Sequence, residues 1–191
     1  MSDSVPSMPI KVKLIFASDI NGAIGKDNTI PWKLKDDMKF FRSETSKRFI
    51  VMGRKTADSL GSPLANRENV VLTKSPDQLD RLMKLGFIVM PDLQDTMNML
   101  EYPVIAYHLD RGWPCEIVII GGAQIYKEAM ELEIVDEVLW TRVDTEIEGA
   151  DTFFDIMPYI NGWKMVKTHI FEKEEERNEH HFSIYQIIKN K

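Results

Sequence analysis

Short apolar runs that end at a turn and give way to helical spacing constrain this chain more than any other feature. Residues 116–120 form a short, strongly apolar run that stops at Gly121–Gly122, and helical spacing follows over residues 124–130. Residues 49–52 and 70–72 are further runs of the same kind, the first followed by a short helix expected over residues 55–60. A strand covered on both faces reads as nearly continuous apolar sequence, and parallel neighbours need a crossover between them. The alternation therefore predicts an α/β fold with a mostly parallel sheet. Further strands are expected at residues 10–17, 87–90, 135–143, 163–171 and 182–188, and helices at 34–45 and 92–100. A polar turn joins the last two strands, so they should form an antiparallel hairpin and make the sheet mixed. The acidic run 172–176 reads as the solvated part of that turn.

The 191 residues suit one domain, expected over residues 10–191 behind a Ser- and Pro-rich disordered leader at residues 1–9. No apolar run approaches the roughly 18 residues of a membrane span. The start of the chain lacks the pattern of a signal peptide. Cys115 is the single cysteine, so no intrachain disulfide forms. These features predict a cytoplasmic protein with no membrane partner. A net charge of −6 argues against general nucleic-acid binding, and any anionic ligand must find local positive charge. His108, His169, His180 and His181 have no metal-ligand spacing, so no metal is expected.

Leu34, Asp37, Met38 and Phe41 share one helix face by their spacing. Three are apolar and the fourth is a carboxylate, which is costly to bury without a partner. On pattern alone Asp37 divides evenly between two readings. One is a stripe-edge position favoured by the helix dipole, the reading given to its neighbour Asp36. The other is a functional acid that accepts two in-plane N–H donors from a pterin-like ring. Desolvation should raise its pKa. Upstream lies a long segment, residues 22–32, with two glycines and Ile30-Pro31-Trp32, which fits a lid or a connecting loop. Two further turns suit an anion. Met52-Gly53-Arg54-Lys55-Thr56 opens a helix after a strand, and Gly121-Gly122-Ala123-Gln124 allows close backbone approach. Neither is a G-x-G-x-x-G fingerprint, so a Rossmann dinucleotide domain is not read here.

The order Leu14-Ile15-Phe16-Ala17, Asn21-Gly22-Ala23-Ile24-Gly25, Ile30-Pro31-Trp32, Asp37, Phe41, Thr45, Val51 to Thr56, Ser59 to Leu64, Arg67 to Thr73, Ile119 to Gly122, Ile125-Tyr126, Leu139-Trp140-Thr141 and Gly149 to Phe154 resembles the dihydrofolate reductase family. The resemblance implies an eight-stranded doubly wound sheet and the NADPH-dependent reduction of dihydrofolate to tetrahydrofolate. Such an enzyme binds antifolates such as methotrexate or trimethoprim and is commonly a monomer. It gives Asp37 the pterin-binding acid's role, with Thr141 in the same network and Trp32 holding a water. It makes Ile15, Ala17, Met38, Phe41, Leu60, Leu64 and Ile120 the folate pocket's wall. Ser59 would face the substrate, and Arg67 would take its glutamate carboxylate. Arg54, Thr73 and Lys74 would surround the cofactor's 2′-phosphate. Lys55, Thr56, Gly122, Ala123 and Gln124 would hold its pyrophosphate, and Gly53, Leu72, Ile125 and Thr152 would also contact the cofactor. Ala17, Ile24, Gly121 and Tyr126 would position the nicotinamide, and Gly121–Gly122 would be a cis peptide.

The sequence departs from the family's bacterial pattern at Asn66, Ala57 and Gln124, and residues 102–113 read as an insertion, a surface loop or a subdomain decoration. Two alternatives stay open. A related reductase domain acts on a ribosylamino-pyrimidine, though it is not expected to pair Trp32 with Asp37 or Leu64 with Arg67. A non-catalytic module of the same fold is the other.

Overall fold

A computed structural model describes residues 8–190, so the leader expected over residues 1–9 lies almost wholly outside the described residues. The alternation read from the sequence is present. The elements are β1 (Lys11–Ser18), β2 (Ala23–Gly25), α1 (Lys35–Thr45), β3 (Phe49–Gly53), α2 (Arg54–Leu60), β4 (Glu68–Leu72), α3 (Pro76–Lys84), β5 (Ile88–Met90), α4 (Leu93–Arg111), β6 (Glu116–Gly121), α5 (Ala123–Glu131), β7 (Glu137–Val143), β8 (Thr152–Phe153), β9 (Lys164–Phe171) and β10 (Phe182–Ile188).

Eight strands form one sheet in the order β5-β4-β3-β6-β1-β7-β10-β9. From β5 to β7 every pairing is parallel. β10 then runs antiparallel to β7, and β9 antiparallel to β10. The order doubles back around β1, so the carboxyl ends of β1, β3 and β6 form a topological switch point, where open α/β sheets bind ligands.

β1 runs through the middle of the sheet, and its side chains alternate between two cores. Val12, Leu14 and Phe16 join one apolar cluster, while Ile15 joins another with Ile50, Met52, Val71 and Val118. Each such side chain contributes about 1.5–3 kcal/mol by leaving water. Lys13 interrupts the second face, and it is buried with its ammonium 3.1 Å from both Glu44 and Glu116. Arg48 completes this cluster with its Nε 2.5 Å from Glu116, and paired charges of this kind avoid the penalty of an isolated buried ion.

The structure corrects the surface-loop reading of residues 102–113. They are not a surface loop, because α4 continues through Pro103 to Arg111 and ends at Gly112, whose φ of 64° is left-handed. Val104 and Ile105 are buried, and Tyr107 packs between Phe49 and Trp113. An interior proline costs a helix about 3 kcal/mol, a sum that burying Val104 and Ile105 offsets. α3 was not anticipated from the sequence. Leu79, Leu82 and Met83 have helical spacing and Pro76 suits a helix start, but only Leu82 is buried.

Candidate active site

The first turn of α1 carries Asp36 and Asp37. The β1–β7 register sets Ala17 opposite Thr141. From there the Thr141 hydroxyl donates to Asp37 Oδ1 at 2.6 Å. Burial pushes the Asp37 carboxyl up to about 6, and the Thr141 hydrogen bond only partly opposes it. Trp32 is buried in a cluster with Leu34, against which Ala17 and Phe40 pack. Its indole N–H finds no acceptor among the described residues. The stripe-edge reading of Asp36 is corrected: it is only 8% exposed, because Arg177 and Asn178 bind its carboxylate. Met38 is 53% exposed, and Phe40 packs against the apolar clusters.

Ile15 and Ile120 are buried in one apolar cluster, and Phe41, Leu60 and Leu64 pack against it. Five expected wall residues are thus brought together. Arg67 lies at the far end of α1, where its Nε donates to Thr45 Oγ1 at 2.9 Å and its Nη1 to the Ala65 carbonyl at 2.6 Å. Burial lowers the pKa of this guanidinium, and so does the nearby charge of Arg42. Arg42, whose charge reaches Arg67, carries no site role in the sequence reading, since a cation in a helix's last turn already has an ordinary explanation in the dipole. Between Leu64 and Arg67, Asn66 takes a left-handed φ of 59°, which asparagine tolerates.

A cleft of about 1190 Å³ runs beside this pocket. Ile24, Gly53, Arg54, Lys55, Thr56, Ser59, Leu60, Leu72, Thr73, Lys74, Ile120, Gly121, Gly122, Ala123, Gln124, Ile125 and Thr152 all line it. Ala17 and Tyr126 do not. Tyr126 stands behind the lining, buried, with its hydroxyl donating to the Ile15 carbonyl at 2.8 Å. Pro91, Asp92, Glu128 and Asp151 also line the cleft and carry no site role in the sequence reading, although Asp151 lies in the quoted run from Gly149 to Phe154. The Gly121–Gly122 peptide is cis, as expected.

The cleft's architecture fits a dinucleotide phosphate. α2 and α5 start at Gly53 and Gly122, and neither start has a side-chain cap, which leaves first-turn N–H groups for an anion. A Cβ on Gly53 would sit 3.1 Å from Ile125 Cγ1, and one on Gly121 3.0 Å from the Tyr126 hydroxyl. Gly121 also has a φ of 127°, which side-chain-bearing residues rarely adopt. Arg54, Lys55 and Lys74 supply the local positive charge that an acidic chain needs. Arg54 Nη1 lies 3.3 Å from Asp58, whose other oxygen is held by Arg81 at 2.5 Å.

The segment over residues 22–32 is more ordered than a plain loop, since β2 within it pairs with β8. Asp19, only 2% exposed, anchors its entrance by accepting from the Asn21, Ala23 and Ile147 amides. At its tip the Asp27 amide donates to Asp151 at 2.8 Å, and the Ser59 hydroxyl donates to the Asn28 carbonyl at 2.8 Å. Ser59 and Asp151 both line the cleft, so the tip links its two sides. The Thr152 hydroxyl and the Asp27 amide hold the Asp151 carboxyl below its usual range.

Among the described residues no group of His, Cys, Asp and Glu has a metal-binding arrangement, and no helix is long and apolar enough to cross a membrane.

The family model for dihydrofolate reductase matches residues 11–189. The chain is 35% identical over 176 residues to a dihydrofolate reductase of Bacillus subtilis, covering 92% of this chain and 94% of the relative. A dihydrofolate reductase of Haemophilus influenzae is 33% identical, over 86% of this chain and 90% of its own length. Among solved structures, a dihydrofolate reductase from Enterococcus faecalis complexed with NADP(H) and RAB-propyl superposes with a TM-score of 0.73 at 30% identity, covering 95% of this chain and 97% of the other.

Proposed function

The chain belongs to the dihydrofolate reductase family, and from that premise we propose that it reduces 7,8-dihydrofolate to 5,6,7,8-tetrahydrofolate with NADPH, for one-carbon metabolism and thymidylate synthesis. The observation that carries this reading is the Asp37 carboxyl. It is pushed up to about 6 and held by Thr141, and the apolar wall of Ile15, Phe41 and Ile120 and the anion-suited cleft stand on the same side of the fold.

When bound, NADPH would supply the hydride that the substrate's C6 accepts. The chain's own work is to bind, orient and exclude water. Asp37 accepts the paired N–H donors of the pterin and, with a pKa near the working pH, favours the pterin's protonated form. Thr141 fixes one carboxylate oxygen from β7, leaving the other for the ligand. The free indole N–H of Trp32 suits a bound water beside the acid, on the route by which N5 gains its proton. Ile15, Ala17, Leu60, Leu64 and Ile120 enclose the ring system. Arg67, with Arg42 beside it, takes the tail carboxylates.

On the cofactor side, Arg54, Thr73 and Lys74 take the 2′-phosphate. Lys55, Thr56, Gly122, Ala123 and Gln124 take the pyrophosphate. Ala17, Ile24, Gly121 and Tyr126 set the nicotinamide, and Gly53, Leu72, Ile125 and Thr152 fill the sides. The tip over residues 26–30 closes the cleft through Asn28 and Asp27. Methotrexate and trimethoprim, which present paired N–H donors to the same acid, are the expected inhibitors. We place the protein in the cytoplasm as a monomer, with residues 10–191 as one domain.

The test is absorbance at 340 nm with purified protein, NADPH and dihydrofolate. A decrease that needs dihydrofolate and stops with methotrexate supports the reading. Binding of both ligands without turnover would replace it with a non-catalytic member of the family.

A further inference from the structure

α1 begins without the usual device. Its N-cap position is Leu34, which offers no side-chain acceptor to the first turn. The turn between β9 and β10 supplies the contacts instead. The Lys35 amide donates to the Arg177 carbonyl at 2.9 Å, and the Asp36 amide to Asn178 Oδ1 at 3.3 Å. Asn178, only 1% exposed, returns a hydrogen bond from Nδ2 to Asp36 Oδ2 at 2.9 Å. The Arg177 guanidinium grips the same carboxylate through both oxygens, Nη2 to Oδ1 at 2.8 Å and Nε to Oδ2 at 2.7 Å. One residue upstream, Lys33 and Glu179 exchange two further hydrogen bonds, at 2.9 and 3.2 Å.

We infer that Arg177 and Asn178 are positioning residues for the reaction: by gripping Asp36 they fix the first turn of α1 and so set the place of the Asp37 carboxylate against the substrate. The inference rests on the role given to Asp37 above. A two-pronged guanidinium contact fixes direction as well as distance. Thr141 holds Asp37 from β7 by one hydrogen bond, and the grip on Asp36 holds the same turn from the β9–β10 turn. Catalytic geometry is sensitive at this scale, where a displacement of about 1 Å costs on the order of a hundredfold in rate. The donors around Asp36 also hold its carboxyl down to about 2, so the grip persists across the working pH range.

The test is a double-mutant cycle on the full chain, with Arg177→Ala, Asp37→Asn and the pair, reading kcat and KM for dihydrofolate and the Kd of NADPH. Arg177→Ala should lower kcat/KM for dihydrofolate by a factor on the order of ten, with a raised KM, while the NADPH Kd stays unchanged. Arg177→Lys, which keeps the charge with fewer donors, should recover part of the loss. In the pair, Arg177→Ala should cost nothing beyond Asp37→Asn, because no acid remains to be placed. The inference is overturned if Arg177→Ala stays within twofold of wild type, if its loss multiplies with that of Asp37→Asn, or if kcat falls with KM unchanged and in step with lost NADPH binding. Should Arg177→Ala not fold, Asp36→Ala takes its place under the same criteria. Wild-type turnover by Asp37→Asn alone would instead overturn the role given to Asp37.

Discussion

Asp36 and Asp37 are consecutive on one helical turn, yet their carboxyls move in opposite directions. On the hairpin side, Arg177 and Asn178 donate to Asp36 and hold it down to about 2. On the sheet side, burial raises Asp37 to about 6 against a single opposing hydrogen bond from Thr141. The two carboxyls answer to different causes: donors, one of them charged, dominate at Asp36, while burial dominates at Asp37. The satisfied carboxylate ties two segments together. The under-satisfied one keeps an unmet capacity for hydrogen bonds, which is what a ligand with paired N–H groups requires.

The strongest way to break the comparison is Asp37→Asn. Turnover near neutral pH should fall by about 10²–10⁴-fold, with NADPH affinity unchanged, as read by steady-state rates and by titration of the cofactor. A variant within threefold of wild type would remove the functional half of the contrast.

The next test sets the two positions against each other in stability. Asp37 has a folded pKa of about 6 against an ordinary carboxyl value of 3.8, so the unfolded chain ionises first and stability falls as pH rises from about 4 to 6. The shift corresponds to about 3 kcal/mol at most. Asp37→Asn should therefore be more stable than wild type at pH 7–8, by about 1–3 kcal/mol, and the gain should fade below pH 4. For Asp36 the sign reverses. Its depressed pKa gives stability that is present above pH 3.8 and lost as pH falls towards about 2. Asp36→Asn should lower Tm at neutral pH by on the order of 5 °C, a deficit that closes in acid. Melting curves from pH 2 to 8 check both. Shifts of the same sign at pH 7 would mean the two environments do not differ as described.

Thr141→Val sharpens the Asp37 side alone. Removing the hydroxyl takes away the one group that opposes burial, so the carboxyl should titrate at a still higher pH. The pH dependence of kcat should move upward accordingly, with turnover at fixed pH changed by roughly tenfold or less. An unmoved profile would mean that Asp37 does not set it.

The legible and illegible parts of this molecule divide along the same physical line. The sheet was readable because buried parallel strands need continuous apolar runs, and residues 49–52, 70–72 and 116–120 have them. Asp37 was readable because a carboxylate breaks an apolar stripe, and the glycine turns because few residues suit their geometry. Asp36 was misread. Its partners lie 141 and 142 residues away in the chain, and a first-turn aspartate already had a local explanation. Arg42 was passed over for a similar reason. The helix at residues 102–111 was hidden by Pro103, a local signal that the packing of Val104, Ile105 and Tyr107 overrides. What the sequence hides is chiefly partnership between distant polar groups, which leaves no periodic trace.

The smallest expected effect separates donor geometry from charge alone. Lys39 also approaches Asp36, with its ammonium 3.7 Å from Oδ1, but that side chain is 73% exposed. An exposed pair of this kind contributes about 0.2–1 kcal/mol and is screened by salt. Lys39→Ala should therefore shift Tm by about 1–2 °C or less and leave both kinetic constants unchanged, with no difference remaining in about 1 M salt. Removing Arg177 deletes one positive charge as well, yet its loss should persist in salt because a directed hydrogen bond and a close second ion contact to a nearly buried carboxylate go with it. If Lys39→Ala matched Arg177→Ala in size and in salt dependence, net positive charge near Asp36 would account for its low pKa. The fork geometry, and with it the grip on the first turn of α1, would then have no part in separating the two aspartates.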